Sequence, residues 1–342
     1  MLTVRDIMVG SRRVFLEVLK FTSASDILLH LAYISRLFAS LSCCDELWYE
    51  LLDLHPTLPS LPPKQQYRMY AKGYLPVISS TELRKFYAHL DQWEVCNLSA
   101  EVEISRQMSV LFTIDKLVFV TGAPQTSTDT FTIHPFSGYV NYLNPLLHHR
   151  RSMGTIRCNA DIYTFGGISQ GYEVWAEVYT HELQVWRELP SCSVPRSAFN
   201  PAYHQGKIYL LGGCCTIKAE YFDIAAETYC ALPLTLPGML CTIALCTDTQ
   251  LIAVQHTGYY VCNLQAIPEQ WEMRPFPFNF GKAFKSDCPV MLKGDTYYIH
   301  QSYQSRIIAL KLQEMTYEEF PTGVAPQHPT GRVPLAFKGK AN

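Results

Sequence analysis

Between Asp161 and Pro233 the chain states one pattern twice, and that repeat restricts its fold more than any other feature. The first copy reads DIYTFGG from Asp161, a polar gap, then WAEVYTHELQVWRELP ending at Pro190. The second reads KIYLLGG from Lys207, then AEYFDIAAETYCALP ending at Pro233. Each is an apolar run closed by two glycines, a second apolar run, a turn, an aromatic and a Leu-Pro stop. Gly166 and Gly212 lie 46 positions apart, and Trp186 and Tyr229 lie 43 apart. Short strands recurring at such a period predict a propeller built blade by blade, because one unit cannot bury its apolar face without its neighbours.

Two position series extend the pattern. The outer-strand position falls at Trp93, Val140, Trp186, Tyr229, Trp271 and Tyr317, and the glycine position at Gly122, Gly166, Gly212, Gln255 and His300. Together they mark five complete units, at about 105–146, 150–192, 195–237, 238–277 and 281–322. A sixth is split. Residues 81–104 hold the second half of the pattern, and residues 330–342 resemble its opening strand. Sharing one closing blade between them removes the unpaired backbone edge that an open ring leaves. The expectation is mainly β: a six-bladed propeller over 81–342, preceded by a small α-helical head.

These units resemble the kelch repeat: a double glycine after the second strand, Tyr or Phe in the third, Trp or Tyr in the fourth. In the fourth and fifth units Gln255–His256 and His300–Gln301 replace the glycines. Glycine there permits positive φ and leaves room for a neighbouring aromatic, so its loss predicts two distorted blades.

The head is a separate signal. Val14, Phe15, Val18 and Leu19 make a helical stripe, and Ser25 or Asp26 is placed to cap a second helix carrying Ile27, Leu28, Leu31, Ile34 and Leu37–Phe38. Asp45 is placed to cap a third with Leu47, Trp48, Leu51 and Leu52. About 40 residues bury too little surface alone, so the unit needs a partner. The stretch FLEVLKFTSASDILLHLAYISRLFASLSCCDELWYELL resembles an F-box, although the usual opening Leu-Pro is absent and Thr22-Ser23 stands at the mid-motif Leu-Pro position. The resemblance implies docking on the Skp-type adaptor of a cullin ubiquitin ligase through Val18, Leu19, Ile27, Leu28, Leu31, Ile34, Leu37, Leu47 and Trp48. The expected domains are an F-box-like head at 1–55, a linker with a short helix at 56–80, and the propeller at 81–342. Pro56, Pro59, Pro62 and Pro63 break helices in that linker.

The motifs HExxH, GxSxG, GxxxxGK[ST] and GxGxxG are absent. His148–His149 lacks a spaced third ligand and reads as loop. The 12 cysteines include no CxxC pair, and the adjacent Cys43–Cys44 and Cys214–Cys215 are poorly placed for loop-closing bridges, so the thiols read as reduced. This places the chain in cytoplasm or nucleus. A net charge of −2 gives no basic face for nucleic acid, and no apolar run is long enough for a membrane span. No cofactor and no catalytic or metal site is expected. Counting from Tyr163 and Tyr209, Arg150 falls on Arg196, with Arg106 and Lys285 within a residue of the same place. These cations either cap strand ends in solvent or form a docking rim for an acidic or phosphorylated segment of a substrate protein. Tyr172, Trp175 and Phe278 would add contact area; the stripe Trp93, Trp186, Trp271 reads as blade core. The function expected is a substrate-recognition adaptor of an SCF-type ligase without its own catalysis. The alternative is a non-ligase kelch scaffold for cytoskeletal or other assembly.

Overall fold

The computed structural model describes residues 75–321, apart from 88–91, 103–107, 114–116, 123–127, 136, 240–241, 256–257, 266–270, 275–289, 294–295, 302–305 and 312–315. The expected helical head, the closing segment 330–342, Arg106, Phe278 and Lys285 lie outside the described residues. The chain divides into two compact units, one of Met1–Tyr74 and Phe86–Trp93, the other of Leu75–Lys85 and Glu94–Asn342. The account below concerns the second.

The described residues are mainly β, with no helix among them. In chain order, a three-stranded sheet comes first: β1 (Leu75–Ile78), β2 (Glu82–Tyr87) and β3 (Gln92–Asn97). Next are β4 (Ser109–Phe112), β5 (Val118–Thr121), β6 (Thr130–Ile133) and β7 (Val140–Leu143). The second four-stranded sheet has β8 (Gly154–Cys158), β9 (Asp161–Phe165), β10 (Ala176–Thr180) and β11 (Val185–Leu189). After the two-residue β12 (Phe199–Asn200) come β13 (Ala202–His204), β14 (Lys207–Leu211), β15 (Lys218–Asp223) and β16 (Thr228–Thr235). Then follow β17 (Thr242–Cys246), β18 (Gln250–Gln255), β19 (Gly258–Asn263) and β20 (Glu272–Arg274), and last β21 (Val290–Lys293), β22 (Thr296–Gln301), β23 (Arg306–Lys311) and β24 (Thr316–Pro321). Within each four-stranded sheet, neighbours in sequence are antiparallel neighbours in space.

Burial grades across the sheets of β4–β7, β8–β11 and β17–β20 as a propeller-like arrangement requires. The inner strands β5, β9 and β17 are buried almost throughout, whereas β7, β11 and β20 alternate or lie open. A strand buried on both sides needs a sheet against each face, and adjacent blades provide them. Three seams do so. Leu111 and Phe119 pack on Ile162, Tyr179 and Trp186. Phe165, Val178 and Leu189 meet Ile208, Leu210 and Phe222. Tyr209 and Leu211 meet Ala244, Leu251 and Tyr260. The Tyr179 and Trp186 rings stand edge-on at 5.3 Å, and Phe119 lies 5.3 Å from Tyr179. Trp186 is therefore blade core, as its position in the repeat requires, and Trp271 packs half-buried at the third seam.

The three seams join four sheets, so among the described residues the arrangement is propeller-like with four blades, not the six expected. Of the remaining two sheets, the first draws its three strands from 75–97, with Leu75–Ile78 as an added strand within the stretch read as linker. The sheet of β21–β24 lies within 281–322, the span expected for the fifth unit.

Loss of the glycine pair leaves the fourth blade regular, contrary to expectation. The β17–β18 and β18–β19 pairings run without a register shift from Ile243 to Asn263. Gln255 is fully buried and donates through Nε2 to Thr242 Oγ1 at 3.0 Å and to the Gly238 carbonyl at 3.3 Å. Gln255 thus ties the end of β18 to the first residue of β17 and to the loop ahead of it.

Candidate functional site

Arg150 and Arg196 are not on a rim. Both are fully buried, with no exposed side-chain surface. Arg150 donates to the Gly166 carbonyl at 3.0 Å, to Thr164 Oγ1 at 2.7 Å and to Glu177 Oε1 at 3.0 Å. Arg196 donates to the carbonyls of Leu210 at 3.2 Å and Gly212 at 3.0 Å, and to Glu220 Oε1 at 2.8 Å. The physical reason is geometric. Each guanidinium enters its own blade between the second and third strands, where carbonyls and a carboxylate absorb its donors. Burial pulls the Arg150 guanidinium below its usual range, and Glu177 opposes the shift. A cation so placed cannot reach a partner protein.

The two sites are one device built twice. The second oxygen of Glu177 accepts the Leu147 amide at 2.9 Å, while Glu220 accepts from the Ser193 hydroxyl. Leu147 and Ser193 each stand three residues ahead of their arginine. Gly166 sits at φ +61°, and a Cβ there would lie 2.2 Å from the Arg196 carbonyl oxygen. Gly167 donates its amide to that same oxygen at 2.8 Å. The glycine pair thus leaves room for backbone from the next blade, whereas the expectation was room for an aromatic ring.

The surface of this region comes from the loops around the device. The segment before β8 and the β9–β10 loop are tied by two hydrogen bonds between Arg151 and Ile168, at 3.0 and 2.8 Å. There Leu147 is 52% exposed and Tyr172 is 55% exposed. The His148 ring stacks on Trp175 at 4.4 Å, and its Nδ1 lies 3.3 Å from Glu177 Oε1. Cys192 donates its amide to Val174, which joins the next inter-blade loop to the same face. In the loop ahead of β17, Met239 is 60% exposed. These loops offer apolar and aromatic area on a hydrogen-bonded scaffold, the form in which propellers present contact surfaces. Among the described residues no group of three or more His, Cys, Asp or Glu side chains is placed to hold a metal ion.

A signal for the buried device was present in the sequence. Glu177 and Glu220 lie 43 positions apart in the third strand, in step with Trp186 and Tyr229. A cation with a periodic acidic partner belongs to the repeat's interior.

Comparison with known proteins bears on this arrangement. No family model matches the chain. It is 33% identical over 86 residues to an F-box/kelch-repeat protein of Arabidopsis thaliana, covering 24% of this chain and 21% of that one. A second F-box/kelch-repeat protein of the same plant is 29% identical over 168 residues, 45% of this chain and 41% of the relative. The matched stretches of this chain are similar to F-box/kelch-repeat proteins. The matches span less than half of either relative's length. Arg150 and Arg196 are structural residues of their blades.

Proposed function

We propose that this chain is the substrate-recognition adaptor of an SCF-type cullin ubiquitin ligase. The observation that carries the reading is the union in one chain of an F-box-like stretch and kelch-type blades joined by continuous seams. The apolar set Val18, Leu19, Ile27, Leu28, Leu31, Ile34, Leu37, Leu47 and Trp48 docks on the Skp-type subunit. The kelch blades hold the substrate protein through loop surfaces such as Leu147, Tyr172 and Met239. The adaptor breaks no bonds. It raises the local concentration of substrate lysines at the charged conjugating enzyme, an effective-concentration effect. It works in cytoplasm or nucleus, where the ligase operates.

Recovery of the purified Skp-type subunit on the immobilised full chain tests this directly. Wild type retains it, and Leu28→Asp and Ile34→Asp lose it, because each puts a charge into an apolar contact. Equal recovery on all three overturns the reading. A chain that ignores the subunit but bundles filaments is the scaffold alternative instead.

A further inference from the structure

The turn between β14 and β15 carries two adjacent thiols. Cys214 and Cys215 occupy the turn itself and are both partly exposed. The other described cysteines divide into two kinds. Cys158, Cys192, Cys246 and Cys262 are buried, and burial pushes their thiols up, Cys192 and Cys262 to about 11. Cys96 and Cys230 are partly exposed, but neither has a cysteine beside it in sequence. Only at 214–215, among the described residues, does an accessible thiol have a second one one residue away.

We propose that Cys214–Cys215 is an oxidisable dithiol, a modification site at which a peroxide converts two thiols into a reversible disulfide. A thiolate attacks the peroxide O–O bond, forming a sulfenic acid and releasing one water. The neighbouring sulfur then attacks the sulfenic sulfur; the S–S bond forms and a second water leaves. The two sulfurs give up two electrons and the peroxide takes them. A resolving thiol beside an accessible one stops oxidation at this reversible rung.

Adjacency, which makes such a pair unfit as a structural bridge, makes it fit for this role. Neighbouring Cα atoms are about 3.8 Å apart, below the roughly 4.4–6.8 Å that a relaxed disulfide spans. The bond therefore stores strain, and strained, exposed disulfides are the ones that reductants reopen. Gly213, at φ +125°, precedes the pair and lets the turn adjust. The thiols also touch the arginine device. Cys215 Sγ donates to the Pro195 carbonyl at 3.4 Å and lies 4.0 Å from Ser197 Oγ, while the Cys214 amide donates to the Ser197 carbonyl at 2.9 Å. Closing the ring removes the thiol donor from Pro195, the residue before Arg196, so oxidation is felt at the entry to the third blade. The inference is independent of the adaptor reading.

Trypsin makes the test clean. Cleavage after Lys207 and Lys218 releases Ile208–Lys218, which contains both cysteines and no others. The full chain is exposed to hydrogen peroxide, blocked with N-ethylmaleimide, digested and weighed. The peptide is expected unblocked and lighter by two hydrogens, and dithiothreitol before blocking returns it to the doubly labelled form. In Cys214→Ser and Cys215→Ser, the remaining thiol is expected to pass to sulfenic and higher acids, with no loss of two hydrogens. The proposal falls if the peptide stays doubly labelled at a peroxide dose that oxidises Cys96. It falls equally if the wild-type peptide gains oxygen, or if either sulfur is found bridged to a different cysteine peptide.

Discussion

Replacing Arg196 by Met tests whether the buried arginine holds its blade together. Met keeps much of the side-chain volume but supplies no donors. The change leaves the Glu220 carboxylate buried without its cation, and the carbonyls of Leu210 and Gly212 without their side-chain donors. Removing one partner of a buried ion pair costs about 3–5 kcal/mol. For a unit of this size that corresponds to a fall in melting temperature of roughly 6–20 °C. Glu220→Met alone leaves the guanidinium unneutralised and costs a similar amount, about 3–5 kcal/mol. The double variant Arg196→Met/Glu220→Met buries no charge, so its loss is well below the sum of the singles, with a coupling of roughly 1–3 kcal/mol. Urea unfolding followed by tryptophan fluorescence supplies all four corners of the cycle. A single-variant loss under about 1 kcal/mol, or a cycle that is additive, refutes the claim that this pair is a coupled interior device.

Four further outcomes follow from the same geometry. Gly166→Ala places a Cβ 2.2 Å from backbone of the next blade at a positive φ, so a loss of more than about 1 kcal/mol is expected in thermal unfolding, and an unchanged midpoint contradicts the packing. The exposed pair Arg187–Glu227, at 2.5 Å, is a contrast: Arg187→Ala shifts stability by less than about 1 kcal/mol, and high salt removes even that. Trp186→Ala opens the first seam and costs about 3–5 kcal/mol by the same urea assay. Burial raises Cys192 to about 11 and Tyr163 to about 12, above their ordinary values of 9.0 and 10.0. Their neutral forms favour the fold, so this stability is whole below pH 9 and is lost as pH climbs toward 11 and 12; a melting temperature that rises over that window contradicts the assignment.

The strand plan was legible because its markers are backbone requirements. The positions of Gly166 and Gly212 demand a left-handed conformation, and Trp186 and Tyr229 occupy outer strands that need one bulky ring per unit. Such demands act locally, so they print directly into residue identity. The direction of the Arg150 side chain does not. Whether it turns outward or into its blade depends on Glu177, 27 positions away on β10, and only the sheet register brings the two together. The loop surface was half legible for the same reason. Tyr172 was a named candidate, but Leu147 and Met239 look like core residues until the turns that expose them are known. Gln255 is the instructive case: read alone it is a lost glycine, and in the fold its amide is bonded to Thr242, 13 positions away in sequence.

The short run Phe199–Asn200 sets a rule for anyone recombining these blades. It pairs in parallel with Thr242 and Ile243, so the entry to one blade is hydrogen-bonded into the innermost strand of the next. A transplant cut at the sequence repeat severs that stitch and strands a fragment on each side of the splice. A transplant whose ends follow the sheet's own membership carries the clasp with it, and is the cut that should survive grafting into a foreign ring.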